Sequence, residues 1–198
     1  MQVPAGWVVH TDNTQGFAVA IPDSWDFVIR DSATYDADLQ TVSQDSADLA
    51  AYFKLSFGAD TQVRFLGGDP HDLGGGFATN VQVIASDLGP TTTAPGLREL
   101  ADAKTRLLAK QATLVQPVTR AAAVLAGQPA QRLDYVLTST GSPAVRSYLA
   151  TVQRGGRSYE YELTMGALPA AAATTFDTIA QLFTVFAPGG VAATPSPS

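Results

Sequence analysis

Two alternating segments joined by a pair of glycines constrain the fold of this 198-residue chain more than any other feature. In VRSYLATVQ, residues 145–153, and SYEYELTM, residues 158–165, apolar and polar side chains alternate with the period of a β-strand. Gly155 and Gly156 between them suit a two-residue turn, in which both residues need the positive φ that glycine adopts without strain. Such a turn fixes the register and pairs Val152 with Tyr159, Ala150 with Tyr161 and Tyr148 with Leu163.

The rest of the chain supplies further strands and helical regions. Alternation predicts strands over residues 7–11, 17–21, 62–68, 77–86, 113–127 and 130–140. Apolar positions at helical spacing predict helices over residues 32–57 in two pieces, 97–112 and 169–186. Because most strands are joined as hairpins, the sequence predicts the α+β class, with a mainly antiparallel β-sheet and helices packed on it. We expect one domain over residues 1–187 and a flexible proline- and serine-rich tail over 188–198.

Charge is distributed unevenly along the chain. Residues 1–72 contain eleven acidic and three basic side chains, a net charge of −8, whereas the remainder contains seven acidic and nine basic ones, a net charge of +2. Nucleic acid is not an expected partner, because phosphate binding needs a concentrated basic face.

The acidic run has two interpretations, a solvated helix face or a docking surface that attracts a basic protein partner. In the second interpretation, aromatic residues supply an apolar centre. The predicted partner surface consists of Asp23, Trp25, Asp26, Asp31, Asp36, Asp38, Asp45 and Asp48.

The segment GGDPHDLGGG, residues 67–76, has the composition that most suggests chemistry. Asp69, His71 and Asp72 lie within four positions and carry groups that bind divalent ions. A metal site normally uses three or more ligands fixed by a second shell, and no other histidine is near in sequence. Glycine and aspartate are also the residues that a turn between two strands requires. We therefore predict a turn and no metal ion.

The other candidates for catalysis also have structural explanations. His10 lies in an alternating strand, where a half-exposed position is expected, and neither Ser24 nor another serine lies in a Gly-x-Ser-x-Gly turn. Glu160 and Glu162 share one strand face, and on an exposed face two such carboxylates are simply solvated. With no cysteine in the chain, a thiolate nucleophile is excluded. The sequence predicts no catalytic residue, no cofactor and no enzyme activity.

Five segments, taken in order, resemble the PsbP-like fold family. They are GFAVAIPDSW (16–25), NVQVIASDLG (80–89), GQPAQRLDY (127–135), RGGRSYEYEL (154–163) and FDTIAQLFTVF (176–186). The likeness extends over about residues 7–187, and within the family the chain most resembles the actinobacterial LpqN-type (lipo)proteins. This resemblance implies a central antiparallel sheet between helices, an α/β/α sandwich, and for most members partner binding without catalysis.

The resemblance predicts a non-catalytic protein-binding or assembly module. A small-molecule or lipid carrier stays open and would show an apolar pocket between sheet and helix. An enzyme of unrecognised type also stays open and would show polar groups with perturbed pKa values in a cleft.

The expected location follows from the apolar runs and from the start of the sequence. No apolar run approaches the roughly 20 residues that cross a bilayer, so we expect no transmembrane segment. With Met1 followed by QVPAGWVVH, the chain as it stands is expected in the cytoplasm. If an export signal has been removed, the expected location is the cell envelope or the exterior.

Overall fold

The computed structural model describes residues 2–60, 62–74, 77–111, 113–138, 142–167 and 172–188. In chain order the elements are β1 (Trp7–Asp12), β2 (Phe17–Pro22), β3 (Asp26–Ile29), α1 (Tyr35–Asp45), α2 (Ala47–Ala59), β4 (Val63–Gly74), β5 (Phe77–Pro90), α3 (Leu97–Gln111), β6 (Thr119–Leu125), β7 (Gln128–Val136), β8 (Ala144–Arg154), β9 (Arg157–Ala167), α4 (Ala172–Leu182) and β10 (Thr184–Val185). The predicted two-piece helix is confirmed. Its break lies at Ser46, whose hydroxyl accepts a hydrogen bond from the Leu49 N–H at 3.2 Å and so caps α2.

The strands form two antiparallel sheets. A seven-stranded sheet has the order β3-β4-β5-β9-β8-β7-β6, and a three-stranded sheet has the order β1-β2-β10. Gly155 and Gly156 have φ values of 54° and 77°, as the two-residue turn requires. The predicted pairs Val152–Tyr159, Ala150–Tyr161 and Tyr148–Leu163 all occur. The predicted α+β class with a mainly antiparallel sheet is therefore confirmed.

The two faces of the seven-stranded sheet are covered differently. On the first face, β2 and α4 pack through a core that includes Phe17, Ile21, Tyr161, Leu163, Phe176 and Phe183. On the second face, α1 and α2 pack through a core that includes Val28, Val42, Leu49, Phe53, Phe57, Leu66 and Ile84. The helix α3 lies over β7 and β8. It also belongs to the second face, because Lys104 contacts Glu162, the direct cross-strand neighbour of Ile84.

The end of the chain differs from the predicted helix over 169–186. The helix α4 ends at Leu182, and Thr184–Val185 then pairs with β2 as an edge strand. Residues 168–171, where that helix was predicted to begin, lie outside the described residues, as does the predicted tail from residue 189 onward. None of the described helices is both long enough and apolar enough to span a membrane.

Candidate functional site

The segment 67–76 is for the most part a continuation of β4. The pairing of β4 with β5 shifts register between Gly68 and Leu73, which leaves the intervening residues in an irregular bulge. A bulge accommodates Pro70, which has no N–H to donate to a strand ladder. The predicted turn is therefore wrong for residues 67–74, and residues 75 and 76 lie outside the described part of the chain.

The polar side chains of this bulge make local contacts. Asp69 Oδ1 accepts a hydrogen bond from the His71 N–H at 2.9 Å, and Asp72 accepts one from the Thr79 hydroxyl. The His71 side chain is exposed. Throughout the described residues, no group of three or more histidine, aspartate or glutamate side chains is arranged to hold a metal ion. Asp69 thus bonds to the local backbone, and Asp72 bonds to a side chain of the paired strand β5.

Five aspartates of the predicted partner surface are exposed, and we call them the acidic surface: Asp23, Asp31, Asp36, Asp45 and Asp48. Asp31 pairs with Arg64 at 2.8 Å. The three on α1 and α2 have no ion pair within the described structure. Arg30, the nearest basic residue in sequence before α1, does not neutralise them, because its guanidinium donates to the backbone carbonyls of Phe57, Asp60 and Val63.

The other three residues of the predicted surface lie in different environments. Trp25 is only 8% exposed and packs in the core of the first face, so it is not an exposed anchor. Asp26 is half-buried, and this burial, followed by repulsion from Asp45, raises the pKa of its carboxyl, while His71 opposes the shift. Asp38 is half-buried and accepts a hydrogen bond from the Thr34 hydroxyl at 2.7 Å.

A polar cluster that the sequence did not predict lies on the second face beside α3. Lys104 Nζ lies 2.9 Å from each carboxylate oxygen of Glu162, which is 4% exposed. Glu162 also accepts a hydrogen bond from the Thr164 hydroxyl at 2.7 Å, and the hydroxyls of Thr164 and Ser147 are 2.7 Å apart. Glu160 precedes Glu162 by two residues on β9, so the two side chains lie on the same face of the strand. We call these five residues the α3 polar cluster.

Burial and like charge shift the pKa values in the α3 polar cluster. Burial disfavours the Lys104 ammonium, but the adjacent Glu162 carboxylate outweighs it, and the pKa of Lys104 is raised. Burial, and next the charge of Glu162, raise the pKa of Glu160 to about 7, although Lys104 opposes the shift. The interpretation of the two glutamates as a solvated pair is therefore wrong, because Glu162 is buried against α3 and Glu160 is half-buried.

One signal in the sequence indicates this cluster. Leu97, Ala101, Lys104 and Leu108 follow the 4-3-4 spacing of one helix face, so a lysine lies in the apolar stripe of α3. A buried ammonium needs an acidic partner, and the alternation of β9 supplies Glu162 on the face that the helix covers. Leu107, which is also apolar, lies outside this 4-3-4 series and is 43% exposed.

His10 packs as an aromatic ring. Its ring centroid lies 3.7 Å from that of Phe27 and 5.7 Å from that of Phe65. Burial lowers the pKa of His10 to about 4, although Asp38 opposes the shift, so the imidazole is neutral at physiological pH. The predicted half-exposed strand position is confirmed.

An open groove of about 450 Å³ separates the β6–β7 hairpin from α4 and β10. Its lining is mainly apolar and includes Val124, Ala126, Ala180, Phe183 and Val185. Because the groove is open to solvent, it does not enclose a ligand as the pocket of a lipid carrier does.

Comparison with solved structures shows which fold this arrangement represents. The chain is similar to the solution structure of cyanobacterial PsbP (CyanoP) from Synechocystis sp. PCC 6803, with a TM-score of 0.56 and 17% identity over 93% of this chain and 95% of that one. It is also similar to LpqN of Mycobacterium tuberculosis, with a TM-score of 0.54 and 14% identity over 90% of each chain. No protein-family model and no curated protein matches the sequence. The chain therefore has the PsbP-like fold that the sequence resemblance predicted.

Proposed function

We propose that this chain is a non-catalytic protein-binding or assembly module, formed by one PsbP-like domain over residues 1–187. The observation that carries the proposal is the set of exposed carboxylates on α1 and α2, Asp36, Asp45 and Asp48, which have no ion pair within the described structure. In the α3 polar cluster, Lys104 pairs with Glu162 across the helix–sheet interface, and hydrogen bonds within the sheet link Glu162, Thr164 and Ser147, so helix packing accounts for these four groups.

The charge of this region favours a basic partner. Residues 35–60 contain five aspartates and one basic residue, Lys54. Concentrated charge of one sign accelerates encounter with a partner of opposite sign, by about tenfold or more at low salt. A rigid support is present, because Leu49, Phe53 and Phe57 attach α2 to the sheet through fully or nearly fully buried side chains.

The location of the partner is part of the proposal. The solved structure of LpqN is described as that of a protein involved in cell envelope biogenesis. This supports the cell envelope, rather than the cytoplasm, as the compartment in which the present chain meets its partner. Fractionation of the native organism, with the chain detected by antibody, tests the location.

A capture experiment with charge-matched variants tests the function. Wild type, the triple variant Asp36→Asn/Asp45→Asn/Asp48→Asn and the control triple variant Asp87→Asn/Glu99→Gln/Asp177→Asn are immobilised and exposed to extract of the native organism. Both triples lose three negative charges, but the control leaves α1 and α2 unchanged. We expect one protein to bind wild type and control, and to associate with the first triple at least about tenfold more slowly.

The salt dependence of the captured pair completes the test. Association with wild type should slow steeply as ionic strength rises, because exposed charges are screened beyond about 8 Å at physiological salt. A partner that binds the first triple as fast as it binds wild type, or that ignores ionic strength, would refute the acidic docking surface.

A further inference from the structure

The helix α3 fully buries few of its own side chains and is linked to the sheet partly through polar groups. Among residues 97–110, Ala101 is the one fully buried side chain, and Leu107 is 43% exposed. Two ion pairs link the helix to the sheet, Lys104 with Glu162 and Asp102 with Arg120. By contrast, α2 buries four apolar side chains. Since apolar burial is the main source of docking energy, α3 is the more easily displaced of the two covers.

The sheet surface beneath α3 combines apolar and polar groups. Leu133 on β7 and Leu149 on β8 are fully buried and lie on the face that α3 covers. Ser147, directly opposite Leu133 on β8, lies on the same face and is fully buried as well. Removal of α3 would therefore expose two leucines on neighbouring strands as an apolar surface.

We propose that α3 is a pH-sensitive cover of the sheet, which ionisation of Glu160 beside Glu162 loosens, so that the apolar surface of β7 and β8 becomes accessible. The cluster contains two carboxyl groups and one ammonium group, so only one carboxylate is balanced in the closed state. A second carboxylate leaves two negative charges beside the single ammonium of Lys104, and the uncompensated charge is better stabilised by the water that reaches it when α3 moves away.

The charged and titratable groups in and next to the α3 polar cluster come from four elements. Glu162 on β9 repels its carboxylate and Lys104 on α3 attracts it, and the net effect with burial raises the pKa of Glu160 to about 7. Tyr135 on β7 interacts with both Glu162 and Lys104, and burial raises the pKa of this phenol. Tyr52 on α2 interacts with Tyr135, and burial raises its pKa too. Both phenols therefore stay neutral near pH 7, and Glu160 is the group in this cluster that titrates there.

Linkage gives the expected size of the effect. With a pKa of about 7 in the closed state and the ordinary value of 4.5 once α3 has moved away, the opening equilibrium of α3 increases roughly tenfold between pH 6 and pH 8. The sign follows from the protons bound: the open state releases its proton first, so rising pH favours opening.

Hydrogen exchange of the α3 amides tests the proposal without any partner. Exchange is measured by mass spectrometry from pH 6 to pH 8 and corrected for the intrinsic pH dependence of amide exchange. In wild type, the protection of α3 should fall about tenfold, while that of α2 stays constant. In Glu160→Gln the protection of α3 should change less than twofold, and the control Glu99→Gln, at an exposed site on the same helix, should behave as wild type.

Two results would overturn the proposal. One is an equal change in α3 and in the central strands β5 and β9, which would mean that Glu160 reports only global unfolding. The other comes from a carbon NMR titration of the Glu160 carboxyl in wild type, which needs no variant that folds. We expect a titration midpoint above pH 6. A midpoint below pH 5.5 would refute the pH-sensitive cover. Neither result bears on the acidic surface, so the two proposals fail independently.

Discussion

Replacement of Lys104 by methionine measures how strongly the fold depends on its buried ion pair. Methionine keeps most of the apolar stem of lysine and removes the ammonium, so Glu162 loses its counter-charge while its side chain stays 5% exposed. The Thr164 hydroxyl still donates to this carboxylate, but one neutral hydrogen bond does not replace a full charge. The variant therefore isolates the cost of an unpaired charge beneath α3.

The expected loss follows from the burial of the two partners. Removal of one member of a buried pair costs about 3 to 5 kcal/mol. The Lys104 side chain is 21% exposed, so water partly reaches the site, and we expect the lower end, about 3 kcal/mol. The second substitution Glu162→Gln removes the stranded charge and should recover about 2 kcal/mol of that loss.

Urea denaturation at pH 7 supplies the measurement. The single variants Lys104→Met and Glu162→Gln and the double variant form a double-mutant cycle, which gives the coupling between the two residues. Arg120→Met is the matched control, because Arg120 pairs with Asp102 across the same helix–sheet interface but at an exposed position, where a pair contributes about 0 to 1 kcal/mol. If Lys104→Met lowers the free energy of unfolding by no more than Arg120→Met does, the α3 polar cluster does not hold α3 on the sheet and this reasoning is wrong.

Two further predictions concern the first face and the close packing of the sheet. Because the pKa of His10 is about 4 in the folded chain and 6.5 when exposed, the unfolded state binds more protons between these values. The free energy of unfolding of wild type relative to His10→Phe should therefore fall by up to about 3 kcal/mol from pH 7 to pH 4, and a constant difference in parallel urea titrations would contradict this. Gly166→Ala should cost about 1 to 3 kcal/mol, since its Cβ would lie 2.6 Å from Phe77 Cζ. Gly58→Ala, with open space around its Cβ, should instead be neutral or stabilising. Thermal melts of the two variants beside wild type measure both effects.

The features that the sequence predicted are those that depend on neighbouring residues. The register of the β8–β9 hairpin follows from Gly155 and Gly156 and from the alternation on either side, so all three predicted pairs occur. The break between α1 and α2 is equally local, because Ser46 caps the second helix with its own side chain. Short-range chemistry is sufficient in both cases.

The features that the sequence did not predict depend on what covers each surface. Alternation assigns Glu160 and Glu162 to one face of β9, but it does not indicate whether that face meets water or a helix. The helix that covers it, α3, is more than fifty residues away in sequence from Glu162, and its lysine at position 104 is the residue that identifies the contact. The bulge in β4 was missed for a similar reason, because glycine and aspartate suit an irregular strand as well as a turn.

The two covers of the second face differ in the kind of energy that holds them, and this difference bears on function. The helices α1 and α2 are attached by apolar side chains such as Leu49 and Phe53, whose burial does not change with pH. They therefore present three aspartates of the acidic surface, Asp36, Asp45 and Asp48, on a fixed support, and such a fixed set of charges speeds association with a partner of opposite charge. The helix α3 is linked to the sheet by the ion pair of Lys104 with Glu162, and in the proposed device the ionisation of Glu160 weakens this attachment. The two proposals together assign to one sheet a constant docking face and a cover that responds to pH, and they predict that a partner that needs both binds more tightly as the pH rises above neutral.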